Sequence, residues 1–187
     1  MTVKKVNEIP TIDVNLVTIK AEGSEDEYIL DTASQIAVEP QIEEEEAVKL
    51  IIKGVLKAQK PAVSTLTGHT ITLTDNVFTP ELVKMLQGGT ITLGQDGKTV
   101  EGYTPPAAGS TEQGSEFVLN AYSAQYNAAG QIVRYEKIMY PNCHGVPVAF
   151  GSEDGTFRVN EYTIHSAPDT GQAPYEITYV ETLPSAV

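Results

Sequence analysis

Residues 63–75 read VSTLTGHTITLTD: Thr70, Thr72 and Thr74 alternate with Ile71 and Leu73. A period of two in β-branched residues fits a pleated strand with one apolar side and cannot fit a helix. A strand of this kind must bury its apolar side against another layer, so the rest of the chain is read for partners. VNLVTIK, Val14 to Lys20, is a second strand. EGSEDE, Glu22 to Glu27, is a charged turn, and Tyr28 to Val38 is a strand bulged near Ala33-Ser34 and ended by Pro40. Glu116–Tyr126 and Gln131–Tyr140 form a hairpin around residues 127–130, and Phe157–Ser166 and Tyr175–Leu183 are the last strands.

Several of these strands are apolar on both sides. Val118, Tyr122 and Tyr126 oppose Phe117 and Leu119; Val133, Tyr135 and Met139 oppose Ile132 and Ile138. An antiparallel sheet with one wet face would not read this way. Either the strands are central in a sandwich, or part of their surface is covered by other copies of the chain.

One helix is expected. Thr79 can cap it, Pro80 suits its first position, and Glu81 suits its positive end. Leu82, Val83, Met85 and Leu86 supply an apolar face, and Gly88-Gly89 ends it. Gln95 to Gly114 is rich in Gly, Pro, Ser and Thr and is expected to be a long mobile loop. The fold class is therefore mainly β: a sandwich or barrel of antiparallel strands with one short flanking helix and long hairpins or loops. The 187 residues form a single domain, long enough to bury a core without disulfides.

The stretch EEEEAVKLIIKGVLKAQK, residues 43–60, has two readings. A helix would put Val48, Ile51, Ile52 and Val55 on one face. A strand would put Val48, Leu50, Ile52 and Leu56 on one side and Lys49, Ile51, Lys53, Val55 and Lys57 on the other. Gly54 is poor in a helix interior. The strand is preferred, in a long hairpin that turns around Lys60-Pro61 and returns along Val63 to Asp75.

Chemistry is sparse. The histidines His69, His144 and His165 are far apart, and Cys143-His144 is an isolated pair in a turn-rich PNCHG segment. Zinc spacings, calcium loops and a phosphate-cradling glycine loop are missing, so no catalytic residue, cofactor or metal is expected. The contiguous glutamates Glu43, Glu44, Glu45 and Glu46 would put at most two carboxylates on one face of a strand, which disfavours chelation. A lone cysteine points to a reducing compartment, and the N-terminus reads as neither a signal peptide nor a membrane span. The net charge is −13, which repels phosphate and so opposes nucleic-acid and membrane-surface binding. The surplus serves solubility, or it keeps polyanions from adhering.

Two pieces together resemble the major tail tube proteins of long-tailed bacteriophages and related phage-tail-like particles, of the Gram-positive phage type. One is TLTGHTITLTDNVFTPELVKMLQGGTI, Thr65 to Ile91: a Thr-rich strand, Asp75-Asn76, a short helix, then Gly88-Gly89 into a strand. The other is Met139 to Pro184, with YPNC, a turn, EYTI and a Tyr-rich terminal strand. The resemblance implies a virion structural protein, made in the host bacterial cytoplasm and built into the tail. Six copies would close a ring, and rings would stack into a hollow conduit for DNA ejection. The implied partners are the chain itself, tail terminator, tail tip or baseplate and tape measure proteins. DNA would pass without specific binding, and no membrane is involved. On this reading Glu43, Glu44, Glu45 and Glu46 lie on the lumen or its rim. Contacts to the next ring would come from the hairpin end, at Leu56, Lys60, Pro61 and Thr67, and from the later loop, at Tyr103, Pro105 and Pro106. The inner tube of a contractile or tailocin-type particle is the near alternative. A β-sandwich module for carbohydrate or a host surface is the distant one, and it would need exposed aromatics clustered on one face.

Overall fold

The computed structural model describes residues 10–25 and 27–185. It is mainly β, with antiparallel strands and one short helix, as the alternating patterns predict. The strands are β1 (Thr11–Ala21), β2 (Glu27–Leu30), β3 (Ala33–Glu45), β4 (Val48–Ile52), β5 (Val55–Lys60), β6 (Val63–Asp75), β7 (Thr90–Leu93), β8 (Val100–Thr104), β9 (Phe117–Tyr126), β10 (Ile132–Gly145), β11 (Asn160–Ser166) and β12 (Glu176–Val180). The helix α1 (Pro80–Gln87) lies between β6 and β7.

The main sheet runs β2-β1-β9-β10-β11-β6-β3, with β12 also paired to β10. β10 is the corner. Its Tyr135–Met139 half pairs with β12, whereas Cys143–Gly145 pairs with β11. Between these halves, at Pro141-Asn142, the register against β9 slips and Asn142 takes φ 47°. A bulge of this kind bends a strand and lets one sheet fold over on itself. The two halves then enclose the core: Val17, Ile19, Phe117 and Leu119 on one side, Ile71, Leu73, Tyr162 and Ile164 on the other.

α1 covers this core with the four apolar residues its periodicity predicts, Leu82, Val83, Met85 and Leu86. Pro80 begins it and Gly88, at φ 80°, ends it. Thr79 occupies the cap position without a side-chain hydrogen bond; its carbonyl accepts from Val83 N at 3.2 Å instead. Below the helix start, Asp75 is fully buried. Its carboxylate accepts from Thr32 Oγ1 at 2.5 Å and from Val77 N at 3.3 Å, which ties the β2–β3 turn to the end of β6.

Three expectations are corrected. Pro40 does not end its strand: β3 continues to Glu45, because it is an edge strand and the missing N–H needs no partner there. The hairpin does not turn at Lys60-Pro61. It turns at Lys53-Gly54, between β4 and β5, and β6 pairs with β3 rather than with residues 48–59. The 95–114 stretch is not one uninterrupted loop, since β8 lies inside it and pairs with β7.

Cys143 is fully buried in β10, and burial pushes its thiol up to about 12. Native protein should therefore react with a thiol reagent about a thousandfold more slowly than the unfolded chain, followed by mass spectrometry near neutral pH. Comparable native and unfolded rates would show that the thiol is not held in the core.

Candidate functional site

The feature the fold does not consume is a hairpin arm. β3 and β6 pair from Ala33↔Asp75 outward to Glu45↔Val63, and β4 and β5 continue the same ribbon from Val48↔Lys60 to Ile52↔Val55. The tip has a two-residue loop with φ 48° at Lys53 and 78° at Gly54. Positive φ at both positions is the type I′ geometry that matches strand twist, and glycine serves the second position at no steric cost. Between Glu39 and Thr67 every residue except Ala47 is exposed. From Gln41 to Ile52 the ribbon spans about 35–40 Å at strand rise.

The arm is apolar on two sides. Val48, Leu50 and Ile52 share a face with their partners Val55 and Ala58; Ile51 and Leu56 share the other face with Lys49 and Gln59. Ile42, Val63 and Leu66 add exposed apolar surface nearer the body, and Val48 at the start of β4 is 65% exposed. An isolated two-stranded hairpin is at best marginally stable in water. A two-faced apolar ribbon with nothing packed on either face among the described residues marks an interaction surface.

Where β3 and β6 join the body they meet β11, and the outward side of this three-stranded half is polar. Gln35, Ala37, Glu39 and Gln41 lie in line on β3, beside Thr70, Thr72 and Thr74 on β6 and Glu161, Thr163 and His165 on β11. Gln41 Nε2 donates to Thr70 Oγ1 at 2.9 Å, and Thr70 Oγ1 lies 3.2 Å from His165 Nδ1, so the rows are tied together. None of the three strands contains Lys or Arg. Two residues beyond Gln41, Glu43 continues this face, then Glu45; Glu44 points to the other side and Glu46 lies past the strand end.

The residues expected as contacts fall into two groups. Leu56 is on the arm, Lys60 ends β5, and Pro61 follows it. Lys60 Nζ is 2.6 Å from Glu45 Oε2, and both are well exposed. Thr67 forms the bulge at the arm's base and donates to Gln41 O at 3.2 Å. Tyr103, Pro105 and Pro106 lie elsewhere, at the end of β8 and just after it. Tyr103 buttresses the helix end: its hydroxyl donates to Gly88 O at 2.7 Å and accepts from Gln87 Nε2 at 2.9 Å. Sequence reasoning missed the tip. Lys-Gly between Ile52 and Val55 was the signal that could have located it.

Other chemistry is dispersed. Cys143 points into the core, whereas its neighbour His144 lies 3.8 Å from Glu116 on the opposite side of the strand. Among the described residues no group of three or more His, Cys, Asp or Glu is arranged to hold a metal, and no helix is long and apolar enough to cross a membrane. Two of the exposed tyrosines already have ring partners. Tyr175 packs edge-on against His69, and Arg134 lies 3.8 Å over the Tyr179 ring.

No family model matches the sequence, and no curated protein matches it. Among solved structures the chain is similar to one described as the cryo-EM structure of the anti-feeding prophage baseplate, 6-fold symmetrised. That match has 9% identity and a TM-score of 0.39, and it covers 97% of this chain and 98% of the other. At that score the likeness carries no argument for fold or function.

Proposed function

We propose that the chain is a structural, self-assembling subunit of a phage-type tail tube, with six copies per ring and rings stacked around a channel for DNA. The observation that carries this reading is the arm: a ribbon of roughly 35–40 Å whose outer part, β4 and β5, is apolar on both faces with nothing packed on it among the described residues. The sequence resemblance of residues 65–91 and 139–184 to tail tube proteins supports the same assignment. The long edge of β3 adds to it, since an edge this long that pairs with nothing among the described residues is a template for another copy and ring closure would cover it. The test is negative-stain microscopy of the purified chain at high concentration and on isolated tail tips. Stacked rings with a central hole are the expected result. A chain that stays monomeric in both settings would overturn the reading.

The outward side of β3, β6 and β11 is assigned to the channel wall. A basic wall would hold phosphates and stall passage, whereas a threonine-rich wall with carboxylates keeps DNA mobile. Glu39, Glu43 and Glu161 are the acids of this face without an ion pair among the described residues, Glu45 being paired with Lys60. Reversing Glu39 and Glu161, which lie outside the arm, to lysine should leave tubes assembled and slow DNA ejection several-fold, most strongly at low salt. Ejection rates equal to wild type would remove this face from the lumen.

A further inference from the structure

The arm is basic on an acidic protein. Residues 47–60 contain four of the chain's twelve Lys and Arg residues and none of its 25 Asp and Glu residues. Lys60 is paired with Glu45, but Lys49, Lys53 and Lys57 form no ion pair among the described residues. They stand among exposed aliphatic side chains: Lys49 shares a face with Ile51 and Leu56, Lys53 forms the tip, and Lys57 is the extra residue where the β4–β5 register slips. A surface of this composition is complementary to one that is both acidic and apolar.

We infer that the tip of the arm docks on an acidic, apolar surface of a second copy of this chain, steered by Lys49, Lys53 and Lys57, so that ionic strength regulates the contact. This rests on the proposal that copies assemble, and it names what selects the docking. Copies carrying −13 each repel one another, and the tip is the place where one copy offers the opposite sign to its neighbour. The chain has a surface of the required kind: Glu153 and Asp154 precede Phe157, which is 98% exposed. An anionic lipid surface would also attract the tip, but the acidic remainder of the chain opposes that approach.

Carbodiimide cross-linking of mixed unlabelled and 15N-labelled full-length chains tests the inference. At about 0.1 M salt, mixed-mass peptides joining Lys49, Lys53 or Lys57 to an Asp or Glu are expected. They should fall about tenfold at about 1 M salt, where the screening length shrinks from about 10 Å to about 3 Å. The K49E/K53E/K57E variant, checked for native circular dichroism, should lose them at both salts. Cross-links that are absent, or unchanged by salt, overturn the inference, as does capture by phosphatidylglycerol vesicles without inter-copy cross-links. The two proposals fail separately. Tubes without these cross-links sink the electrostatic docking alone; cross-linked pairs that never form rings sink the tube alone.

Discussion

Excising residues 42–67 and joining Gln41 to Gly68 through Asn-Gly should leave a folded, strictly monomeric domain. Gln41 and Gly68 face each other across β3 and β6, so a two-residue loop closes the cut without changing the register. The excised residues are exposed apart from Ala47, and none belongs to the core. Domain stability should therefore change by less than about 1 kcal/mol in a urea titration. The loss falls on assembly. Nine large apolar side chains go with the arm, each roughly half exposed: Ile42, Val48, Leu50, Ile51, Ile52, Val55, Leu56, Val63 and Leu66. Burying the exposed halves is worth about 1 kcal/mol each, or roughly 10 kcal/mol in all. Association costs of about 4–15 kcal/mol offset most of that. One arm in one socket is therefore close to balance, and stable assembly requires several arms seated together in a closed ring. Sedimentation velocity and electron microscopy read the outcome. A truncated chain that assembles like wild type would show that the arm is not the assembly surface, and one that unfolds would show that the arm belongs to the domain.

The second large effect is expected at Gly145. A Cβ built there would lie 2.5 Å from Leu86 Cα, and one at Gly114 would lie 2.3 Å from the Leu86 and Met85 carbonyl oxygens. The last turn of α1 is thus held between two backbone segments with no room for a side chain on either. Gly145→Val should cost about 3 kcal/mol, at the upper end for overpacking, because the obstruction is helix backbone that cannot rotate away. For a chain of this length that is a fall in Tm of about 6–12 °C. Gly151→Ala is the control: nothing lies within 4 Å of its added Cβ, and its effect should stay within about 0.5 kcal/mol. Equal stabilities for the two variants would mean that α1 is not clamped at this position. Because α1 covers the core formed by the folded sheet, a loosened helix should also weaken assembly, although it lies outside the arm.

Local patterns in the sequence carried much of this fold. The Thr/Ile alternation located β6, the bulge expected near Ala33-Ser34 is the register shift between Ala33 and Gln35 against β6, and Pro80 with Gly88 bracketed α1 within a residue. These are short-range signals, set by side-chain period and backbone dihedral preference. The misreadings share a cause. Pro40 ends a strand only if the strand is central, and nothing within YILDTASQIAVEP says that β3 lies at an edge. Lys60-Pro61 carries a stronger turn signal than Lys53-Gly54 when proline is weighed alone. The pairing of Glu45 with Val63 instead makes residues 46–62 a continuation of one ribbon rather than a strand facing β6.

The sequence by itself determined that this chain is a β protein with one amphipathic helix, a strong acidic surplus and a Lys-aliphatic stretch that does not suit a helix. Only the tertiary structure decided that this stretch leaves the body as an arm, and that Glu43 and Glu45 share the threonine-rich face while Glu44 does not. The physical reason is that side-chain alternation is written residue by residue. Which strand stands at an edge, and what remains uncovered there, depends on pairings between segments far apart in the chain, such as β1 with β9.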